Sequence, residues 1–231
     1  MGNCSRKFLT ISIPAYNDAL SLKKLVEETE YLCAKLNLDF DILIVNDGSK
    51  DETLKIATEM SDRFRNITVV NHENNLGFGP TLREVFTLPD SEWVLFLPGD
   101  NQFPIQNLER FLLLINHFDF MIGFRKQRRD KINRKLYSYL YNTLVSVASG
   151  YDVNDVNSIV FFKRNILKNF TLRSETAFIH AELFIKAMQK DVRMIEVEVM
   201  HQEREFGFGK GGSLKVMLST LLELVIFILR K

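Results

Sequence analysis

The sequence predicts an α/β protein built on a mainly parallel central sheet with helices on both faces. Three observations carry that prediction. From Phe8 to Leu97, short apolar runs alternate with stretches of 3.6-residue periodicity. The apolar runs are rich in Ile, Val, Leu and Phe and lack polar alternation, as strands buried on both faces do. Between them lie short connections dense in Pro, Gly, Asn and Asp.

Taken in order, residues 8–13 form a first strand ended by Pro14. Leu22, Leu25, Val26, Leu32, Cys33 and Leu36 mark one face of a helix. Residues 40–45 are a second strand, closed by Asn46-Asp47-Gly48-Ser49. Asp51-Glu52-Thr53 opens a second helix, with carboxylates in its first turn to complement the dipole. Residues 67–70 form a third strand, Gly77-Phe78-Gly79-Pro80 opens a third helix, and residues 93–97 form a fourth strand. The second half predicts strands at 118–124, 158–162 and 192–199, helices at 131–148 and 177–189, a Gly-rich loop at 206–212 and a C-terminal helix. No repeat or linker divides the chain, so one domain is expected, its second half extending the sheet of the first.

Composition limits the function classes. A hydrophobic content of 46% and a charged content of 26% fit a folded domain, and a net charge of +1 gives no field for nucleic acid. Cys4 and Cys33 are too few for a disulfide framework and point to a reducing compartment. No secretory signal peptide is expected, and Arg6 stands where a myristoylation motif needs Ser or Thr. The segment Leu214–Leu229 carries Lys215 and Glu223 and is short for a span of roughly 20 residues, so an interfacial or docking helix is expected.

In a parallel sheet, ligands gather at the carboxyl ends of the strands. Pro14-Ala15-Tyr16-Asn17-Asp18, Asn46-Asp47-Gly48-Ser49 and Pro98-Gly99-Asp100 all fall there. Asp18 can cap the first helix or reach a nucleotide. Asp47 can close an Asx turn or accept hydrogen bonds from a base or ribose. Asp100, with Gln102 two residues on, is either a solvated turn carboxylate or a ligand for a hard metal ion. Gly77-Phe78-Gly79 lacks the third glycine of a dinucleotide fingerprint, and Gly209-Lys210 is followed by Gly211 rather than the Ser or Thr of a P-loop.

These loops, with Leu76-Gly77-Phe78-Gly79, resemble glycosyltransferase family 2 with its GT-A fold, in the family's order and approximate spacing. The branch they resemble is that of the polyprenyl- and dolichyl-phosphate sugar transferases. Gly123-Phe124-Arg125 is similar to that branch's Gly-Thr-Arg, and Arg204 with Lys210 to its closing basic pair. The resemblance divides the single domain into a nucleotide-sugar half (about 8–123), an acceptor half (about 124–212) and a C-terminal helix (213–231). It implies a nucleotide-diphosphate sugar donor, Mg2+ or Mn2+, and inversion at the anomeric carbon. It also implies that Pro14, Tyr16 and Asp18 contact base and ribose, that Asp47 accepts from the base and that Val45 lines its pocket. Gly99 and Asp100 would belong to the nucleotide-sugar loop, with Asp100 and Gln102 on the metal. Arg125, Arg204 and Lys210 would neutralise phosphate.

The sequence departs from the family at three points. Pro98 replaces the first Asp of Asp-x-Asp, Asn17-Asp18 stands for Asn-Glu, and Asn46-Asp47 stands for Asp-Asp. Residues 125–135 carry seven basic side chains against Asp130. They form a solvated helix face or, beside a diphosphate, bind an acceptor phosphate or an anionic membrane. With the apolar C-terminal helix they suggest a lipid-phosphate acceptor at the cytoplasmic face of a membrane. Such an acceptor is already anionic and needs no strong base; a glycan hydroxyl would need one, for which Glu182 is the candidate. A catalytically weak nucleotide-sugar-binding protein is the alternative outside enzymology. His180 and His201 lack partners at metal-ligand spacing and are expected to have structural or surface roles.

Overall fold

The computed structural model describes residues 6–126, 132–203 and 214–230, the stretches 132–136 and 214–215 by backbone alone. The strands are β1 (Leu9–Ala15), β2 (Phe40–Asn46), β3 (Ile67–Asn71), β4 (Trp93–Phe96), β5 (Phe120–Phe124), β6 (Val160–Lys163) and β7 (Met194–Glu198). They form a single sheet in the order β3-β2-β1-β4-β6-β5-β7. β1 pairs parallel with β2 and β4, β2 with β3, and β5 with β7, whereas β6 is antiparallel to both its neighbours. Every strand except β6 therefore points the same way. The helices are α1 (Ala19–Lys35), α2 (Thr53–Arg63), α3 (Phe78–Thr87), α4 (Asn107–Leu112), α5 (Ile132–Ser149), α6 (Ile179–Met188) and α7 (Leu214–Leu229).

The antiparallel strand has a local cause. After α5 the chain turns at Gly150, whose φ of 78° suits a residue without Cβ, and runs back along the helix. Val153 donates its backbone N–H to Ser146 Oγ at 3.0 Å, and Asn142 donates to the Asn154 carbonyl. The chain thus re-enters the sheet from the edge it left, and β6 slots between β4 and β5 against their direction.

The strands are apolar on both faces because each face carries its own core. Phe161 stacks on Trp93 at 4.7 Å and belongs to the core under α1 and α4. Its neighbour Phe162 meets Phe86 and Phe120 in the core under α3, α5 and α6. Each such fully buried aromatic contributes about 1.5–3 kcal/mol. The carboxylates expected in the first turn of α2 instead precede it: Asp51 accepts from the Thr53 N–H at 3.0 Å and the helix begins at Thr53. The sequence did not foresee α4 or the 3-10 turn Arg164–Asn169, since six residues are too few to show a period.

Candidate active site

The carboxyl ends of β1, β2, β4 and β5 meet along one edge of the sheet. Two of their loops are sewn together by side chains. Ser49 Oγ accepts from the Asn17 N–H at 3.0 Å, and Asn17 Oδ1 accepts from the Lys50 N–H at 2.8 Å. Thr53 Oγ1 accepts from the Asp18 N–H at 2.9 Å. Asn17 takes a left-handed φ of 55°, which turns the chain from β1 into α1. Asp18 sits at the start of α1, but its carboxylate bends back to accept from the Tyr16 N–H at 3.1 Å and does not cap the helix. On the other side, the Gly99 N–H donates to the Pro14 carbonyl at 3.1 Å, and a Cβ on Gly99 would lie 2.8 Å from that oxygen. Glycine is required for the β4 loop to lie this close to β1.

Asp47 is buried and hydrogen-bonded through both carboxylate oxygens rather than closing an Asx turn. Its Oδ1 faces His72 Nδ1 at 2.9 Å and accepts from the Leu76 N–H at 2.7 Å. Its Oδ2 accepts from Asn75 Nδ2 at 2.7 Å and the Gly77 N–H at 3.0 Å. The carboxylate is buried and its oxygens clamp the 72–77 loop to the end of β2. Val45 shares a face of β2 with Leu43 and is 0% exposed in the core.

The loop after β4 carries Asp100 and Gln102, both half-buried. Asp100 Oδ1 accepts from the Gln102 N–H at 3.1 Å, and the chain after β7 reaches the same loop through Gln202, whose N–H donates to the Gln102 carbonyl at 2.9 Å. Between them Asn101 adopts a left-handed φ of 55° and is buried with neither side-chain amide atom hydrogen-bonded. Among the described residues no three His, Cys, Asp or Glu side chains converge to hold a metal ion. Asp100 and Gln102 are nonetheless hard oxygen donors of the kind Mg2+ and Mn2+ take, alongside water and phosphate oxygens. Arg204, Lys210, the Gly-rich loop at 206–212 and residues 127–131 of the basic run lie outside the described residues.

Arg125, at the end of β5, makes a two-pronged ion pair with Asp155: Nε to Oδ2 at 2.7 Å and an Nη to Oδ1 at 2.9 Å. The guanidinium expected to face phosphate thus already has a buried carboxylate beside it. Asp155 was missed in the sequence, although a carboxylate between Val153 and Val156 had to be paired if buried. Beside Arg125 opens a groove of about 1230 Å³ lined by Lys126, Ser138, Asn142, Ser146 and Tyr151.

Glu182 is not a solvated helix position. It is 2% exposed and accepts from the Arg173 N–H at 2.9 Å, the Ser174 N–H at 2.8 Å and the Lys186 ammonium. These bonds hold the 173–176 segment against α6. His180, two residues earlier on α6, is packed edge-on against Phe96 at 4.7 Å and Phe86 at 5.4 Å. Burial lowers its pKa to about 4 against the opposing pull of Asp155, so it is a neutral imidazole.

The chain matches the sequence model of glycosyl transferase family 2 over residues 10–186. Curated relatives include undecaprenyl-phosphate 4-deoxy-4-formamido-L-arabinose transferases. That of Klebsiella pneumoniae is 29% identical over 210 residues, covering 88% of this chain and 62% of the relative. That of Pectobacterium atrosepticum is 28% identical over 213 residues, covering 91% and 64%. The chain therefore spans less than two thirds of the length of these relatives. Among solved structures, glucosyl-3-phosphoglycerate synthase from Mycobacterium tuberculosis, in complex with Mg2+ and UDP, superposes with a TM-score of 0.71. It is 14% identical, covering 94% of this chain and 79% of that one. Mannosyl-3-phosphoglycerate synthase from Rubrobacter xylanophilus gives a TM-score of 0.70 at 16% identity, covering 97% and 74%. The fold is GT-A, and the chain belongs to glycosyl transferase family 2.

Proposed function

We propose that the chain is the catalytic domain of an inverting glycosyltransferase that moves a sugar from a nucleotide-diphosphate sugar to a polyprenyl phosphate at a membrane surface. The observation that carries the choice of acceptor is the state of Glu182. The one carboxylate the sequence offered as a base for a hydroxyl acceptor is buried and occupied by backbone donors and a lysine. A phosphate acceptor brings its own anionic oxygen and needs no such base. The names of the undecaprenyl-phosphate relatives support the same class.

In this proposal the diphosphate lies over the carboxyl edge of the sheet, where α1, α2, α3 and α6 present their amino ends. Each helix dipole is worth about 0.3–1 kcal/mol to an anion there. Tyr16 and Asp18 border the nucleotide, and Asp100 and Gln102 hold the divalent ion. When bound, that ion supplies Lewis-acid stabilisation of the departing diphosphate. Arg125, steadied by Asp155, adds positive charge at the border of donor and acceptor halves, and Arg204 and Lys210 complete it. The acceptor occupies the groove beside Arg125, whose α5 wall exposes Tyr139 and Val147.

Membrane contact is proposed through α7. Leu218, Leu222, Val225, Ile226 and Leu229 are exposed at spacings that put them on one helical stripe. Glu223 turns inward, accepting from Ser174 Oγ at 2.8 Å and the Glu175 N–H at 3.1 Å, so it does not interrupt that stripe. Among the described residues no helix is long and apolar enough to cross a membrane. The stripe lies on the surface in this proposal.

Thermal-shift screening of UDP-, GDP- and dTDP-sugars with Mn2+, followed by transfer to polyprenyl phosphate in vesicles, tests the reading. A stabilising donor and a glycolipid product are expected. Absence of any stabilising donor, or transfer to a glycan hydroxyl in preference to the lipid, would overturn it.

A further inference from the structure

His72 lies just past β3 and is buried at the junction of three segments. Its backbone N–H donates to the Asn46 carbonyl at 3.0 Å, which fixes it beside the end of β2. Its ring touches a carboxylate on each side: Nδ1 is 2.9 Å from Asp47 Oδ1, and Nε2 is 3.0 Å from Glu84 Oε2 on α3. A neutral imidazole has one N–H and one lone pair, so it can donate to only one of two ionised carboxylates. Asp47 offers the ring only acceptors, because each of its oxygens takes a backbone N–H and Oδ2 takes the Asn75 amide as well. Glu84 offers the second acceptor from the partly exposed rim. Satisfying both contacts then requires both ring nitrogens to carry protons.

We propose that His72 is held as an imidazolium between Asp47 and Glu84, and that this charge positions the 72–77 loop as one wall of the nucleotide pocket. His72 acts as a positioning residue, through Asp47, on the turn Asn75-Leu76-Gly77 that leads into α3. The proposal rests on the nucleotide-sugar reading above. The same loop is held from below by Gly48, where a Cβ would meet the Asn74 carbonyl carbon at 2.4 Å. β2 and the loop cannot move independently of each other.

The charged groups that face the ring are Asp47 from the end of β2 and Glu84 from α3; Glu73 beside it is exposed, and Arg83 turns toward the 173–175 segment. Burial pushes the imidazole pKa down, but the hydrogen bonds to Asp47 and Glu84 more than offset this and carry it above its ordinary 6.5. A raised pKa means that the clamp is fully present below 6.5 and is lost as pH rises through the higher folded value.

Two measurements on the whole chain test this. The first is ring nitrogen NMR of His72. A doubly protonated ring at pH 7, titrating with a midpoint above 6.5, is expected; a neutral ring at pH 7 would overturn the imidazolium. The second is calorimetric titration of UDP and GDP with Mg2+ across the same pH range. Wild type should lose about tenfold in affinity through the His72 transition, the worth of one charge-assisted hydrogen bond. His72→Gln should start weaker and stay flat, and Glu84→Gln, which leaves the Asp47 side intact, should move the transition to lower pH. A flat wild-type profile, or a His72→Gln profile that follows the wild type, overturns the positioning role. If neither nucleotide binds wild type at any pH, the pocket wall falls with the nucleotide reading, while the ring titration still decides the imidazolium.

Discussion

Replacing Asp155 by Ala removes the partner of the Arg125 guanidinium at the border between the two halves. The Asp155 side chain is 5% exposed and that of Arg125 13%, so the pair falls in the buried class. Loss of one partner of such a pair costs about 3–5 kcal/mol, because the other charge stays desolvated. Here the residual exposure of Arg125 and its place 5.7 Å over the Phe103 ring lower the expectation to about 3 kcal/mol. In a domain of this length that corresponds to a melting point about 6–12 °C lower. Urea unfolding followed by circular dichroism gives the free energy directly, and the double variant Asp155→Leu, Arg125→Met supplies the control. With both charges gone neither member of this pair is left facing a lost partner, so the double variant should be more stable than Asp155→Ala alone. A single variant within about 1 kcal/mol of wild type, or a double variant no more stable than Asp155→Ala, would refute the reasoning.

Three further outcomes follow from the same geometry. Glu182→Gln keeps an acceptor for the 173–174 backbone but loses the charge opposite Lys186, so it should cost about 1–2 kcal/mol of stability and change the transfer rate less than about tenfold; a rate loss near a thousandfold at unchanged stability would restore Glu182 as a base. The Asp119 carboxyl is held at about 2 by the Arg193 guanidinium, with burial opposing and Lys163 assisting. A depressed carboxyl stabilises above its ordinary 3.8 and loses that contribution as pH falls toward 2, so Asp119→Asn should remove about 1–2 kcal/mol of acid sensitivity in that window, after allowing for the exposure of Arg193; coincident acid-unfolding curves would sink the attribution. Pro98→Asp should fold, because the Leu97 and Gly99 N–H groups pair with β1 while a residue 98 N–H points to the other side. It should raise the Mg2+-dependent affinity for a nucleoside diphosphate about tenfold, and an unchanged affinity would place residue 98 outside the metal's reach.

The alternation of strand and helix was legible because strands buried on both faces leave unbroken apolar runs and helices leave a period. Residues 40–45, 67–70 and 93–97 fall within one residue of the observed strands β2, β3 and β4. What the sequence concealed was contact between segments distant in the chain. Nothing local in 150–159 shows that it doubles back along α5, since the bonds that turn it, Ser146 to Val153 and Asn142 to Asn154, join a helix to a loop. The candidate site was legible as loops and less so as side chains. Asp47 and Glu182 each meet backbone N–H groups of a neighbouring loop, and Arg125 meets the Asp155 carboxylate. A buried carboxylate is drawn to backbone N–H groups as strongly as to a ligand, and the sequence carries no mark of which it meets.

This diversion of charge bears on the acceptor. Asp47 clamps the 72–77 loop, Asp155 steadies Arg125, and Glu182 and Glu223 fasten the 173–176 segment to α6 and α7. Of the carboxylates singled out at the carboxyl edge, Asp18 and Asp100 remain at loop tips, each with a turn bond to a backbone N–H two residues away. Deprotonating a sugar hydroxyl calls for a carboxylate or imidazole within reach and able to take a proton. His180, a neutral imidazole at about 4, binds a proton too weakly for that at neutral pH. A dianionic phosphate asks for the opposite equipment: positive charge to receive it and no base. A site whose buried carboxylates are spent on holding loops and a guanidinium in place is suited to the phosphate.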